Sequence, residues 1–339
     1  MKDNYLSIVF VIIMIGVTFF NQKYNKEETI RAIKNDSKTE KQASVVSLAD
    51  LKPVSFSELI LKTEELEKKI EEEVIKKAKE VSFLEKKGDS EDNEEKEKPK
   101  IPDFEIAAKV AAVYDLTTEK EIYSKNPEMI WPMASITKIM TAVVAVEEMG
   151  FEAPIKISEE VLKTEEIAGD FNAEEEFVLR DMIMSLFLVS SNDGAEAIAE
   201  NYKRERFIEK LNQKATEIGM EKTFYREPAG LSSENVTTVQ DLEKLMTYVY
   251  KEKPELLFFS RQKETEITDL KFGNKKKYKS INEFAGELNF IGGKTGYTDI
   301  ARGNLVSVFS KNGHAILIII LGTEDRFSET RKLLEWVEI

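Results

Sequence analysis

The sequence predicts an α/β (α+β) fold in which an antiparallel sheet joins a helical insertion, behind an N-terminal anchor and a charged helical stalk. Three observations carry that expectation. Two apolar, β-rich runs, residues 106–114 and 315–321, lie at opposite ends of the last two thirds of the chain. Several amphipathic helical segments lie between them. The charge excess is concentrated in residues 57–100, ahead of both runs.

Residues 1–24 are expected to be an anchor. Residues 5–20 form one apolar run, broken only by Ser7, Gly16 and Thr18. That is shorter than the roughly 20 residues a spanning helix needs, and it matches a signal-peptide core in length. It leaves through Phe19-Phe20-Asn21-Gln22 with no small-x-small cleavage site, which favours an uncleaved signal anchor. Lys23, Lys26, Arg31 and Lys34 follow the run and oppose export of what comes next. A long translocated domain overrides such a bias.

Residues 25–102 read as stalk and linker. Residues 58–87 contain no Gly or Pro, and Leu59, Leu66, Ile70, Val74, Ala78, Val81 and Leu84 make a narrow apolar stripe. The stripe drifts off a strict heptad, so a solvated spacer and a self-associating coiled coil both fit. Residues 89–102 are charged and end in Pro, as a flexible linker is.

Residues 103–339 are expected to form the globular domain. The run 106–114 is a strand, Asp115-Leu116-Thr117-Thr118 a turn, and Glu121-Ile122-Tyr123 a return strand. Helices are expected over 136–149, 179–188, 195–202, 207–218 (stopped by Gly219), 239–250 and 326–337. Residues 305–309 and 315–321 are expected to pair through a turn at Asn312-Gly313.

Composition narrows the function. A net charge of -14 argues against a nucleic-acid partner, which would need a basic face. The absence of cysteine removes disulfides, thiolate nucleophiles and Cys-based metal sites. The single histidine, His314, precedes an apolar run and reads as a turn residue, not the base of a Ser-His-Asp triad. No metal or cofactor site is expected.

Three strings remain that bear chemistry: Ser135-Ile136-Thr137-Lys138, Ser190-Ser191-Asn192 and Lys294-Thr295-Gly296. In the first, residues i and i+3 share a helix face, so Lys138 can reach the hydroxyl of Ser135. The start of a helix also offers unpaired N–H groups to a developing oxyanion. A lysine base must be neutral part of the time, and burial beside a second cation, Lys294, would lower its pKa. Ser190 can relay a proton to a leaving amine, and Asn192 can hydrogen-bond a substrate amide. A plain capping cluster around Asp193 fits the same residues. Lys294 and Thr295, on a glycine-flanked strand edge, suit an extended peptide with a carboxylate, and a backbone N–H near Tyr297 can complete an oxyanion hole. Pattern alone is cheap. Ser260-Arg261-Gln262-Lys263 repeats the first string and Ser233-Glu234-Asn235 the second, without the order of helix start, turn and strand.

From about residue 106 to the end, the chain resembles the penicillin-recognising D-alanyl-D-alanine carboxypeptidases. These are the low-molecular-weight penicillin-binding proteins of the β-lactamase/DD-peptidase superfamily. The resemblance rests on Trp131-Pro-Met-Ala-Ser-Ile-Thr-Lys-Ile-Met-Thr-Ala142, Ser190-Ser-Asn-Asp193 and Gly293-Lys-Thr-Gly-Tyr-Thr298. Asn212-Gln-Lys-Ala with Gly219-Met220, Pro228-Ala-Gly-Leu231, and Leu321-Gly322 with Arg326 to Trp336 extend it.

The resemblance implies removal of the terminal D-alanine of peptidoglycan stem peptides through an acyl-enzyme on Ser135. It also implies covalent inhibition by β-lactams, Arg326 as a binder of the substrate carboxylate, and an extracytoplasmic domain on the cell membrane. Because the sequence ends at Ile339, without the extra β domain and C-terminal anchor of some members, the N-terminal run is expected to be the anchor. Two departures stand out. Arg302 occupies a usual Gly position. Glu227-Pro228 replaces a usual Asn-Pro and is similar to the Glu-Pro of class A β-lactamases, although Leu231 stands where they have Asn. The alternatives are a lactamase and a non-catalytic wall-binding module.

Overall fold

The computed structural model describes residues 102–338 except Ile167. The expected anchor, the stalk helix and nearly all of the linker lie outside the described residues. The chain divides into two units, Met1–Glu94 and Glu95–Ile339, and the second holds everything described below. Among the described residues no helix is long and apolar enough to cross a membrane.

A five-stranded antiparallel sheet organises this unit. Strands β1 (Val110–Asp115), β2 (Lys120–Lys125), β9 (Phe290–Thr298), β10 (Arg302–Lys311) and β11 (His314–Thr323) stand in the order β2-β1-β11-β10-β9. β1 and β11 are central and covered on both faces, which is why they read as unbroken apolar runs. Val110, Ala112, Leu317, Ile319 and Leu321 face one core and Ala111, Val113, Ile316, Ile318 and Ile320 the other, as the two-residue period of a strand requires. The hairpin between β10 and β11 turns at Asn312 and Gly313, both at positive φ (50° and 87°), as a two-residue hairpin turn demands.

The larger core lies between one sheet face and the helical lobe: α1 (Thr137–Met149), α2 (Leu179–Leu188), α3 (Asn192–Tyr202), α4 (Arg204–Glu217), α5 (Val239–Glu252) and α6 (Pro254–Ser260). The smaller core lies on the opposite face, under α7 (Arg326–Trp336). Short antiparallel pairs finish the unit: β3 (Trp131–Pro132) with β6 (Val236–Thr237), β4 (Pro154–Lys156) with β5 (Glu176–Val178), and β7 (Glu264–Thr268) with β8 (Lys275–Lys279).

The expected elements need three corrections. Ser135 lies in a 3₁₀ turn, Ala134–Ile136, and α1 begins only at Thr137. Helix α3 begins at Asn192, not at residue 195, because the Ser191 hydroxyl caps it by accepting from the Gly194 N–H at 2.8 Å. The cap is therefore Ser191. The Asp193 carboxylate instead accepts from the Ser191 hydroxyl at 2.5 Å and from the Gly169 N–H at 3.1 Å. Helix α6 and the β7–β8 hairpin were not foreseen. His314 does open β11, and its Nδ1 lies 2.8 Å from Asp115 Oδ2, tying that end of β11 to the end of β1.

Candidate active site

The 3₁₀ turn that carries Ser135 is clamped from three sides. Trp131 donates its indole N–H to the Ala301 carbonyl at 2.9 Å, and Asn304 of β10 donates its amide to the Pro132 carbonyl at 2.9 Å. Met133 donates its backbone N–H to the Asn235 carbonyl at 2.9 Å. Ala134 is held at a φ of 47°, in the left-handed region that non-glycine residues rarely enter. Gly230 (φ 88°) runs directly beneath, where a Cβ would fall 2.0 Å from the Ala134 carbonyl oxygen, so no side chain fits.

Lys138 is fully buried one turn into the helical segment. Its Nζ lies 2.9 Å from Ser135 Oγ, 2.6 Å from Asn192 Oδ1 and 2.5 Å from the Ala229 carbonyl oxygen. Asn192 can offer only its oxygen, because its amide nitrogen donates to the carbonyls of Glu165 and Glu166 at 3.2 and 3.0 Å. Burial drives the Lys138 pKa down to about 7, although the carboxylates of Glu227, Asp193, Glu166 and Glu196 hold it up. A neutral amine has two hydrogens and one lone pair. With Asn192 and Ala229 taking the hydrogens, the lone pair faces the Ser135 hydroxyl.

Lys294 comes from β9, the edge strand of the sheet, and is also fully buried. Its Nζ donates to Ser190 Oγ at 3.0 Å and to the Thr295 carbonyl at 2.7 Å. Burial pushes its pKa well below the ordinary lysine range, and the charges of Lys138 and Arg326 push the same way. Coulomb repulsion between two buried ammonium groups is mutual, so at least one is favoured in its neutral form. Ser190 sits at a φ of 60°, a strained conformation of the kind found at functional positions.

Gly296 brings β9 against the Ser135 turn; a Cβ there would lie 3.1 Å from both Ser135 N and the Met133 carbonyl oxygen. The nucleophile's amide thus lies beside the outer edge of the sheet, where an added peptide strand would run. Thr295 is buried and Tyr297 is exposed at the rim. Half-buried Arg326 opens α7 and donates from Nη1 to the Gly296 carbonyl at 2.7 Å. Arg302 occupies a left-handed position (φ 57°), the conformation for which Gly is the easy choice, and its guanidinium pairs with Glu324. Every residue singled out in the three strings, together with Arg326, is therefore gathered at the junction of sheet and lobe. Among the described residues no group of acidic or histidine side chains could hold a metal.

Three contributors have roles other than those the sequence suggested. Glu227 points into its own turn: its carboxylate accepts from the N–H groups of Ala229 at 2.6 Å, Gly230 at 2.7 Å and Ser232 at 3.3 Å. It shapes the loop that presents the Ala229 carbonyl to Lys138. Asn235, dismissed with a recurring pattern, donates its side-chain amide to Thr137 Oγ1 at 3.0 Å and to the Glu227 carbonyl at 2.9 Å. Ser260, from the other recurring pattern, accepts the Gly293 N–H at 2.9 Å and so fixes β9 just before Lys294.

A family model described as D-alanyl-D-alanine carboxypeptidase matches residues 93–325. The chain is 32% identical over 249 residues to a D-alanyl-D-alanine endopeptidase of Pseudomonas aeruginosa, covering 69% of this chain and 78% of that protein. It is 30% identical to the Escherichia coli protein of the same name, again covering 69% and 78%. Among solved structures it is similar to the D-alanyl-D-alanine carboxypeptidase DacD of Francisella tularensis, with a TM-score of 0.63 at 25% identity over 70% of this chain and 71% of that one.

Proposed function

The chain belongs to the D-alanyl-D-alanine carboxypeptidase family, and from that premise we propose that it cleaves the D-alanyl-D-alanine end of peptidoglycan stem peptides through an ester on Ser135. The observation that carries the assignment is the buried Lys138 amine, 2.9 Å from Ser135 Oγ and with two fixed carbonyl acceptors to take its hydrogens.

Lys138, neutral, takes the Ser135 proton as Oγ attacks the penultimate D-alanyl carbonyl. The substrate lies along the outer edge of β9, and the Ser135 N–H, with a backbone N–H near Tyr297, receives the oxyanion. The C–N bond then breaks. The departing amine collects its proton through Ser190, which Lys294 holds at 3.0 Å. Asn192 orients both the base and the acyl chain, and Thr295 with Arg326 receives the terminal carboxylate. Water, activated by the same lysine, hydrolyses the ester. A β-lactam follows the first half of this route and stops at the acyl-enzyme. The acyl half of the reaction is the same whether the leaving amine is free D-alanine or the amine of a cross-link. The two relatives described above carry the name endopeptidase.

The turned-in Glu227 supports a slow-deacylating peptidase over a lactamase. The apolar run 5–20 supports a tether that holds the domain outside the cytoplasmic membrane. Recovery of the full chain in a salt-washed membrane fraction, lost when residues 1–24 are deleted, is the expected result for that tether.

The function is tested with a fluorescent penicillin and an acyl-D-Ala-D-Ala peptide. Stable labelling and D-alanine release, both abolished in Ser135→Ala, are expected. Rapid drug turnover would make the chain a lactamase, and a folded wild type that neither labels nor cleaves would remove the enzymatic reading.

A further inference from the structure

An exposed acidic residue, Glu283, is carried by a turn that packs against the start of α7, where Arg326 lies, and that turn is built, not incidental. The connection from β8 to β9 is pinned at two points in its first half. Ile281 donates its N–H to the Leu188 carbonyl at 2.9 Å, two residues before Ser190. The ring of Phe284, fully buried, meets that of Phe327 at 5.5 Å between centroids, and Phe327 is the residue after Arg326. Between these anchors Asn282 is buried and closes a turn, its side-chain oxygen accepting from the Phe284 N–H and its carbonyl from the Ala285 N–H, both at 3.1 Å. Glu283, between the buried Asn282 and Phe284, is exposed. It is carried by a locked turn between the Ser190 side of the cleft and the start of α7.

The electrostatics agree with that placement. Burial lowers the Arg326 pKa, and Glu283 is the acidic side chain that opposes the shift. The Arg326 charge in turn bears on Lys294, inside the site. A substrate carboxylate arriving at Arg326 therefore also meets the like charge of Glu283. A neutral leaving group loses nothing there, and one that carries a cation gains.

We propose that Glu283 is a specificity-determining residue that sets the charge preference on the leaving-group side of the cleft, disfavouring a free terminal carboxylate at Arg326. This rests on the peptidase reading above.

The test uses the full chain and two acyl-D-Ala-D-Ala peptides that differ only at the C-terminus, one a free acid and the other a primary amide. Glu283→Gln is expected to raise kcat/KM on the acid about fivefold, mainly through KM and more at low salt, because one partly screened charge is removed. The amide should change by less than about twofold, and Glu283→Asp should keep the wild-type acid-to-amide ratio. An unchanged ratio in Glu283→Gln, or an equal change on both peptides, overturns the proposal while leaving the peptidase intact. Failure of the wild type to cleave either peptide, with penicillin labelling retained, overturns the peptidase reading and this inference with it.

Discussion

The pattern Ser-x-x-Lys occurs at the two ends of different helices in this molecule. Ser135 precedes α1, with Lys138 one turn in, buried and facing back toward the serine. Ser260 closes α6, and Lys263 lies past its end, exposed before β7. At a helix start the backbone offers N–H groups and the positive end of the dipole. At a helix end it offers carbonyls, and Ser260 Oγ donates to one of them, that of Leu257, at 2.9 Å. The hydroxyl that could have been a nucleophile is spent on its own helix, and its lone pair holds Gly293. The same four-residue pattern gives a candidate nucleophile with its base in one place and a strut for that site in the other. Helix polarity decides which.

The sharpest way to break this comparison is to remove the base. Lys138→Ala should slow acylation by a fluorescent penicillin by about 10²–10⁴-fold, the usual contribution of a positioned general base. Near-wild-type acylation in that variant would mean that proximity to Ser135 carries no catalytic role. Lys138→Ala also deletes a buried donor to Asn192 and the Ala229 carbonyl, so circular dichroism must show the fold retained.

The second effect is the pH dependence. The base works only when neutral, and burial has brought the Lys138 pKa from 10.5 to about 7. Below that value each pH unit should cost about tenfold in acylation rate, so pH 5 should be about a hundredfold slower than the plateau above pH 8. An ordinary exposed lysine would still be gaining activity at pH 10. A rate that climbs steadily from pH 8 to pH 10 would show that Lys138 is not desolvated as its burial requires.

The comparison also marks what the sequence could and could not disclose. β1 and β11 were legible because burial on both faces leaves only apolar residues. β7 and β8 were not, because Glu264, Glu266, Lys275, Lys277 and Lys279 face water and only Ile267, Lys276 and Tyr278 are buried. Buried Lys276, paired with Glu175 at 3.0 Å, looks like any surface lysine in sequence. Ser135, Lys138 and Lys294 were legible because side-chain chemistry at fixed spacing marks them. The rest of the Lys138 cage was hidden for two reasons. Ala229 contributes a carbonyl that every residue owns, 91 positions away. Glu227 and Asn235 act on backbone groups of a turn whose shape no local pattern encodes. Even Asn192, which was legible, turns its oxygen to the Lys138 amine, a contact visible only once its own amide was seen to be occupied.

A smaller effect tests the strut. Ser260→Ala leaves the Gly293 N–H without its acceptor in a buried place, which should cost about 1–3 kcal/mol of stability in denaturant unfolding. Because Gly293 precedes Lys294, acylation should slow as well, by less than in Lys138→Ala. Unchanged stability with unchanged acylation would mean that β9 is held by its pairing to β10 alone.

The smallest effect is the most discriminating for the comparison itself. Lys263→Ala should leave acylation unchanged and stability within about 0.5 kcal/mol, as for an ordinary surface substitution. What the fold takes from this residue is its backbone: the Lys263 carbonyl accepts from the Ser280 N–H at 2.8 Å, which any side chain permits. A Cβ added at Gly286 would meet the side-chain stem at 3.4 Å, but the glycine itself has none. If Lys263→Ala instead slowed acylation as Lys138→Ala does, the exposed lysine at a helix end would be chemically equivalent to the buried one at a helix start. Helix polarity would then not decide which serine and lysine react, whatever the first variant had shown.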